Sequence, residues 1–220
     1  MLLKRVINTQ SFNPQVISCQ LERKIMKISI KKIVALIFTG LFTCYSAADW
    51  QLTQEHSSIN FISVKKEHVI ENHHFNEFSA TITEQGKINL AINLASVDTK
   101  IGIRDQRIKE HLFETKIYPK ATFTAQLNTE ELANITAGSS QSMKVTGVID
   151  LHGQSLPVNM KVLVTKLSSA KLLVVNQTPL IINAQDFDLI AGISKLQTLA
   201  SLSSITHRVP VNFILTFTHQ

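Results

Sequence analysis

The sequence predicts an all-β domain, an eight-stranded antiparallel β-barrel with one or two short helices. Downstream of residue 48, apolar residues recur at every second position in about eight segments, as in strands with one buried face. Many of these segments are 8–12 residues long, and only 103–113 and 194–202 break the alternation. A closed barrel leaves such long strands without exposed edges, although a sandwich or a jelly roll could use the same strands in another order.

The individual strands are predicted from the runs of alternating residues. In the clearest run, "KINLAINLAS" (87–96), the isoleucines and leucines share one face and oppose lysine, asparagine and alanine. The other runs are 57–66, 74–84, 121–128, 142–153, 156–167, 170–184 and 207–218. Phe75 and Ile82 have opposite parity, which predicts either a bulge near Phe78 or two buried faces. The letters "HGQS" predict a hairpin turn with Gly153 at positive φ.

The segment that begins at Met26 has the pattern of an export signal. Three lysines precede the apolar stretch 33–42, and Ser46-Ala47-Ala48 supplies small residues at a cleavage site. We expect a signal peptide at 26–48, cleaved after Ala48, and a barrel domain at 49–220. Residues 1–25 resemble neither a signal nor a core element, so we expect a mis-assigned or disordered extension and a true start at Met26. Ten apolar residues are fewer than the roughly 20 that span a bilayer, so no stable membrane span is expected.

The basic character of the chain is concentrated in its first 48 residues. They hold seven of the 22 basic residues and one of the 16 acidic residues, which leaves 15 of each in 49–220. The pI of about 9.4 therefore does not indicate nucleic-acid binding. Cys19 and Cys44 also precede residue 49, so neither a disulfide framework nor thiolate chemistry is expected in the barrel domain.

The charged segment 103–113 allows two interpretations. Arg104, Asp105 and a histidine could form an acid/base or anion-binding set at the barrel mouth. Alternatively, a solvated helix caps one end of the barrel, with Arg104 or Asp105 pinning it to neighbouring strands and with Ile101, Ile108 and Leu112 on one stripe. The second interpretation is favoured because no nucleophile, paired carboxylate or oxyanion glycine loop accompanies the charges. Residues 98 and 99 are expected to cap the turn into the helix.

The pattern of histidines does not favour a metal site. His68, His73 and His74 lie close together in sequence, with Glu67 and Glu71 beside them. However, adjacent residues on a strand point to opposite faces, and no tightly spaced pair on one face is present. We expect no metal site and no cofactor.

Four segments of the chain resemble those of a known protein family. The second segment contains the series S-V-D-T, R-D, L-F and Y-P in fixed order. These segments are "WQLTQEHSSINFISVK", "NLASVDTKIGIRDQRIKEHLFETKIYPKATF", "VTGVIDLHGQSLPVNMKV" and "FDLIAGISKLQTLASLSSITHRVPVNFILTF". They resemble the YceI-like family of exported, lipocalin-like, polyisoprenoid-binding barrels. The chain departs from the family at Arg107-Ile108, at 111–113 and at His74, which is typical of a divergent branch.

The resemblance implies a periplasmic, non-enzymatic carrier that holds a long-chain isoprenoid or a quinone-like lipid inside the barrel. From the residues alone, core packing and cavity lining both remain open, and the resemblance favours lining. The candidate ligand-binding residues are Phe61, Phe75, Phe78, Ile92, Leu94, Phe123, Val145, Ile149 and Phe213. The alternatives are a lipid-modifying enzyme that uses Arg104 and Asp105, or a solid-core structural module related to stress. A homodimer is left open as an assembly.

Overall fold

The computed structural model describes residues 49–220. The predicted extension (1–25) and the predicted export signal (26–48) lie outside those residues. Within 49–220, no helix combines the length and the apolar character that crossing a bilayer requires.

Residues 49–220 form twelve strand segments and three helices. The strands are β1 (Trp50–Leu52), β2 (Ser58–Lys65), β3 (Val69–Phe75), β4 (Phe78–Ile82), β5 (Lys87–Asn93), β6 (Val97–Asp98), β7 (Lys120–Gln126), β8 (Ser140–Leu151), β9 (Gln154–Ser168), β10 (Lys171–Asn176), β11 (Leu180–Asn183) and β12 (Arg208–His219). The helices are α1 (Gly102–Arg107), which continues as a π-helical turn (Ile108–Leu112), α2 (Thr129–Ala133) and α3 (Ile190–Leu199).

The twelve segments make eight long strands that close into an antiparallel barrel. Short interruptions divide four of these strands, which gives the pairs β1/β2, β3/β4, β5/β6 and β10/β11. Each long strand pairs with the next along the chain, and β12 pairs with both β1 and β2 to close the ring. The predicted eight-stranded barrel is therefore confirmed, and the strand order is that of a simple meander rather than of a sandwich or a jelly roll.

The irregularity predicted near Phe78 separates β3 from β4. β3 ends at Phe75 and β4 begins at Phe78, and the N–H groups of the two residues between them donate to the main-chain and hydroxyl oxygens of Ser96. Because of this break, the inward-facing residues change parity, so Phe75 and Ile82 both face the interior. The bulge, rather than two buried faces, explains their opposite parity.

Two helices pack against each other at one end of the barrel, which we call the helical end. Arg107 Nη1 donates to Leu199 O at 3.2 Å, which joins α1 to the end of α3. Gly192 of α3 lies against the π-helical turn so closely that a Cβ there would be 2.5 Å from His111 O and 2.8 Å from Leu112 Cα. α2 lies at the opposite end, between β7 and β8.

The predictions for the helices hold only in part. The helix expected at 103–113 is present with almost the same bounds, and Ile108 is buried on its inner stripe. Ile101 is not on that stripe: it precedes the first helical residue with an extended backbone (φ −135°) and is 46% exposed. The helix expected at 194–202 begins four residues earlier, at Ile190.

The predicted "HGQS" hairpin is confirmed, with Gly153 at φ 78°.

In one stretch of the barrel wall, neighbouring strands are not joined by main-chain hydrogen bonds. β9 pairs with β8 from Gln154 to Thr165, but with β10 only from Val162 onwards. β11 pairs with β12 and, among the described strands, with no other. The first half of β9 (154–160) and β11 (180–183) therefore face each other without main-chain pairing. We call this opening the lateral gap.

The close contact at Gly192 predicts a stability difference between two glycine variants. Gly192→Ala should lower the free energy of unfolding by about 1–3 kcal/mol, because the added methyl group overlaps the main chain of the π-helical turn. Gly102→Ala is the matched control, since nothing lies within 4 Å of a Cβ at this helical position. Urea unfolding of both variants tests the prediction, and equal stabilities would contradict it.

Candidate functional site

The barrel encloses an apolar cavity of about 230 Å³. Strands from the whole circumference contribute to its wall, and so do residues of all three helical regions. Among the described residues that line it, only Thr122 has a polar side chain. Such a cavity offers a ligand apolar contact but hardly any hydrogen bonding, so a bound molecule would be held by the burial of its hydrocarbon surface.

Eight of the nine predicted lining residues do line this cavity. They are Phe61, Phe75, Ile92, Leu94, Phe123, Val145, Ile149 and Phe213. Phe78 is the exception: it is buried and pairs in register with Ile92, but it is not among the lining residues and belongs to the packed core. Whether the eight residues contact a ligand is part of the proposal below.

A glycine makes room for one of the large side chains. Gly147 occupies an inward position on β8, where strict alternation would otherwise place a side chain. A Cβ at Gly147 would overlap the ring of Phe123, the residue on the neighbouring strand β7. The absence of a side chain at Gly147 thus lets the Phe123 ring reach the cavity wall.

Three phenylalanines form an aromatic cluster below the helical end. The ring centroids of Phe61 and Phe75 are 5.3 Å apart, and those of Phe75 and Phe113 are 6.0 Å apart. These separations suit tilted aromatic packing. Phe113 directly follows the π-helical turn, so strand parity could not identify it as a lining residue. The same holds for Leu189 and Ile193, which α3 and the residue before it contribute to the lining.

Strand parity could have identified other lining residues that the candidate list omitted. Their positions alternate on the same face as the candidates: Ile88 and Leu90 on β5, Met160, Val162 and Val164 on β9, and Val209, Val211, Leu215 and Phe217 on β12. The signal was present in the sequence, because each residue lies two or four positions from another apolar residue of the same face.

A network of charged side chains holds α1 against the barrel. Arg104 donates to Glu71 Oε2 (2.8 Å) and to the hydroxyl and main-chain oxygens of Thr99 (2.8 and 2.6 Å). Lys65 Nζ lies 2.9 Å from the same Glu71 oxygen. The main-chain N–H and the hydroxyl of Thr99 both donate to Asp105 Oδ1. Arg104 and Asp105 therefore pin the helix, as the second interpretation of this segment predicted.

The charges of this network balance, with two cations and two carboxylates. Burial alone would raise the pKa of Glu71, but the hydrogen bonds from Arg104 and Lys65 hold that pKa below its usual value. A carboxylate that remains ionised between two cations is typical of a structural ion-pair cluster. The network does not offer an unmatched positive charge to a ligand.

His73 lies beside the network and is almost completely buried. It is 3% exposed, its Nε2 is 2.8 Å from Ser63 Oγ, and its ring centroid is 5.1 Å from that of Phe61. Its Nδ1 atom has no hydrogen-bond partner. Burial, followed by the positive charge of Arg104, lowers the pKa of His73.

The histidines of β3 point in different directions. His74 faces outward from the same strand as His73 and lies 3.3 Å from Asp98. This divergence follows from the alternation of side chains along a strand. Within residues 49–220, no group of three or more histidine, cysteine, aspartate or glutamate side chains is arranged to hold a metal ion.

The buried His73 predicts a pH dependence of stability. In the unfolded chain its pKa returns to about 6.5, so the unfolded state binds a proton that the folded state resists. The free energy of unfolding should therefore fall as the pH drops below about 6.5. His73→Phe should show a smaller decrease in urea midpoint between pH 7.5 and pH 5.5 than the unsubstituted protein. His207→Gln, at an exposed position, serves as the control. The same pH dependence in His73→Phe and in the unsubstituted protein would contradict the prediction.

Comparisons with known proteins agree with this geometry. A family model described as the YceI-like domain matches residues 50–217. Protein YceI of Escherichia coli O17:K52:H18 is 29% identical over 143 residues, which cover 60% of this chain and 71% of that protein.

Two solved structures have the same fold. A polyisoprenoid binding domain from Saccharophagus degradans, implicated in plant cell wall breakdown, is 38% identical with a TM-score of 0.76, over 78% of this chain and 98% of that chain. Burkholderia cenocepacia BcnA is 22% identical with a TM-score of 0.59, over 75% of this chain and 98% of that chain, and this likeness concerns the fold alone. Because the family model spans most of the sequence and the barrel matches, this chain belongs to the YceI-like family.

Proposed function

We propose that this protein binds the hydrocarbon chain of a long isoprenoid, or of a similar amphipathic lipid, inside the barrel and acts as its carrier. The observation that carries the proposal is the apolar cavity inside the barrel, whose lining includes a single polar side chain, that of Thr122, among the described residues. The polyisoprenoid binding domain of Saccharophagus degradans, 38% identical to this chain, supports the ligand class. A quinone or a quinone precursor is the candidate for the complete ligand.

The energetics are compatible with such a ligand. Burial of a CH₂ group contributes about 0.8 kcal/mol, so ten groups contribute roughly 8 kcal/mol before the costs of association. This gross value is close to the 8.2 kcal/mol that corresponds to a dissociation constant of ~1 μM. A chain longer than ten carbons can therefore be held without any charged contact, in agreement with the balanced charges at the helical end.

In this proposal the lining residues act by their shape and apolar surface. Phe61, Phe75 and Phe213 contact the chain towards the helical end, and Phe123 and Ile149 contact it from the opposite wall. Ile92, Leu94 and Val145 complete the contact surface, and Phe78 supports it from the core. Arg104 and Asp105 have a structural role, which the hydrogen bonds to Thr99 and Glu71 support.

We also propose that the carrier works in the periplasm after export. Residues 26–48 would direct export, and cleavage after Ala48 would release the barrel domain. Intact-mass measurement of the protein recovered from the periplasm of an exporting bacterium should give a chain that begins at Asp49, within two residues. A periplasmic protein that retains residues 26–48, or a failure to reach the periplasm, would contradict this part of the proposal.

Native mass spectrometry of the exported protein tests the ligand directly. We expect an adduct in stoichiometric amount, and organic extraction should yield an isoprenoid whose mass equals that of the adduct. A protein that carries no lipid, and that also fails to bind a polyprenol or a quinone in titration, would overturn the proposal.

Two tryptophan variants on adjacent residues of β8 test the location of the site. Ile149→Trp fills the cavity and should reduce lipid occupancy at least tenfold, because Ile149 lines the interior and is 9% exposed. Val148→Trp is the control, since Val148 faces outward and is 42% exposed. Ile149→Phe provides a milder filling if the tryptophan variant does not fold. Equal occupancy in folded variants of both positions would contradict an internal site.

A further inference from the structure

The lateral gap is an opening in the barrel wall with defined borders. On one side, Gln177 N donates to Lys161 O at 2.9 Å, the last main-chain bond between β9 and the segment that leads to β11. On the other side, Gln154 Nε2 donates to Asp188 Oδ2 at 2.6 Å. Between these two bonds, no main-chain hydrogen bond joins β9 to β11 in the described part of the chain.

The main chain of β9 is suited to an unpaired edge. Lys161 directs its carbonyl towards the β10 side, and residues of the same parity direct their main-chain groups the same way in an extended strand. One of these residues is Pro157, which has no N–H to donate and is exposed. Proline is found in sheets at edges, where a missing donor costs no ladder hydrogen bond. The opening is therefore consistent with the local sequence.

Apolar side chains border the lateral gap on both strands. Leu156, Val158 and Met160 of β9, and Leu180 and Ile182 of β11, are partly buried and pack against the core. Met160, Leu180 and Ile182 also line the cavity. The apolar lining of the cavity thus reaches both borders of the gap. Rotation of these side chains can widen the passage without breaking any strand hydrogen bond, in contrast to the laddered parts of the wall.

The cavity is smaller than a long isoprenoid. Its 230 Å³ is below the roughly 300–1,000 Å³ of pockets that enclose a drug-sized ligand. A long isoprenoid is larger than such a ligand, so part of its chain must lie outside the closed space. At the lateral gap the inward side chains of both bordering strands are apolar, and main-chain pairing between these strands is absent.

We propose that the lateral gap is a second binding subsite, through which the apolar chain of an isoprenoid leaves the cavity and enters or exits the barrel. The chain lies between Leu156 and Val158 on one side and Leu180 and Ile182 on the other. This inference rests on the proposed function. It adds to that function a route for the lipid chain through the barrel wall, between β9 and β11.

Photo-crosslinking of the unsubstituted protein locates the subsite. The probe is geranylgeraniol with a diazirine at the tail end of its chain, added to the delipidated protein. After irradiation, peptide mapping should place the label within 154–160 or 180–183. Labels confined to the aromatic cluster or to the residues around α2 would overturn the subsite. They would still agree with a ligand inside the barrel. Absence of probe binding, measured by the same mass spectrometry before irradiation, would overturn the proposed function itself.

Exchange kinetics of a matched pair of valine variants give a second readout. The probe is all-trans-retinol, an isoprenoid alcohol that fluoresces, and its transfer to phosphatidylcholine vesicles is followed. Val158→Ala should raise the dissociation rate about fivefold, because it removes two methyl groups from the gap. Val175→Ala makes the same change at a position that pairs with both β9 and β12 but does not line the cavity, and it should change the rate less than twofold. Equal rates in the two variants, or a faster rate in Val175→Ala, would overturn the subsite.

Discussion

The structure depends on the hydrogen bonds between its last strand and its first. β12 pairs with β1 near its C-terminal end and with β2 in its middle, so one strand spans the interruption between them. Thr216, which is 3% exposed, stabilises this junction. Its hydroxyl donates to His56 O at 2.8 Å, and its N–H donates to Ser57 Oγ at 2.9 Å. Without this closure the apolar interior would face water, and two long strand edges would be exposed.

Closure also separates the polar chemistry of the domain from its apolar interior. The ion pairs of Arg104 lie at the helical end, where α1 joins the barrel, and the aromatic cluster lies beneath them. His73 marks the boundary: it contacts Phe61 in the cavity wall, and its pKa is lowered by burial and by Arg104. Isoprenoid chains are apolar along their length, and the interior matches that property. In the proposed entry route, the isoprenoid chain leaves this interior through the lateral gap.

Much of the barrel could be predicted from the sequence because one physical signal, period-two alternation, determines which side chains are buried in a strand. It grouped the inward side chains of β5, β7, β8 and β12, which include five of the eight candidates that line the cavity. The signal does not extend to helices, which explains why Phe113 and Ile193 were missed. It also could not reveal the lateral gap, since pairing depends on which strands become neighbours, although Pro157 was a local indication of an edge.

The most direct test of the account is a crystal structure of the protein purified from an exporting bacterial host with its lipid retained. The account predicts continuous electron density for a hydrocarbon chain that runs from the aromatic cluster of Phe61, Phe75 and Phe113 along the cavity. We expect the density to continue between β9 and β11. Density for a lipid on the outer surface with an empty or water-filled interior would contradict the account.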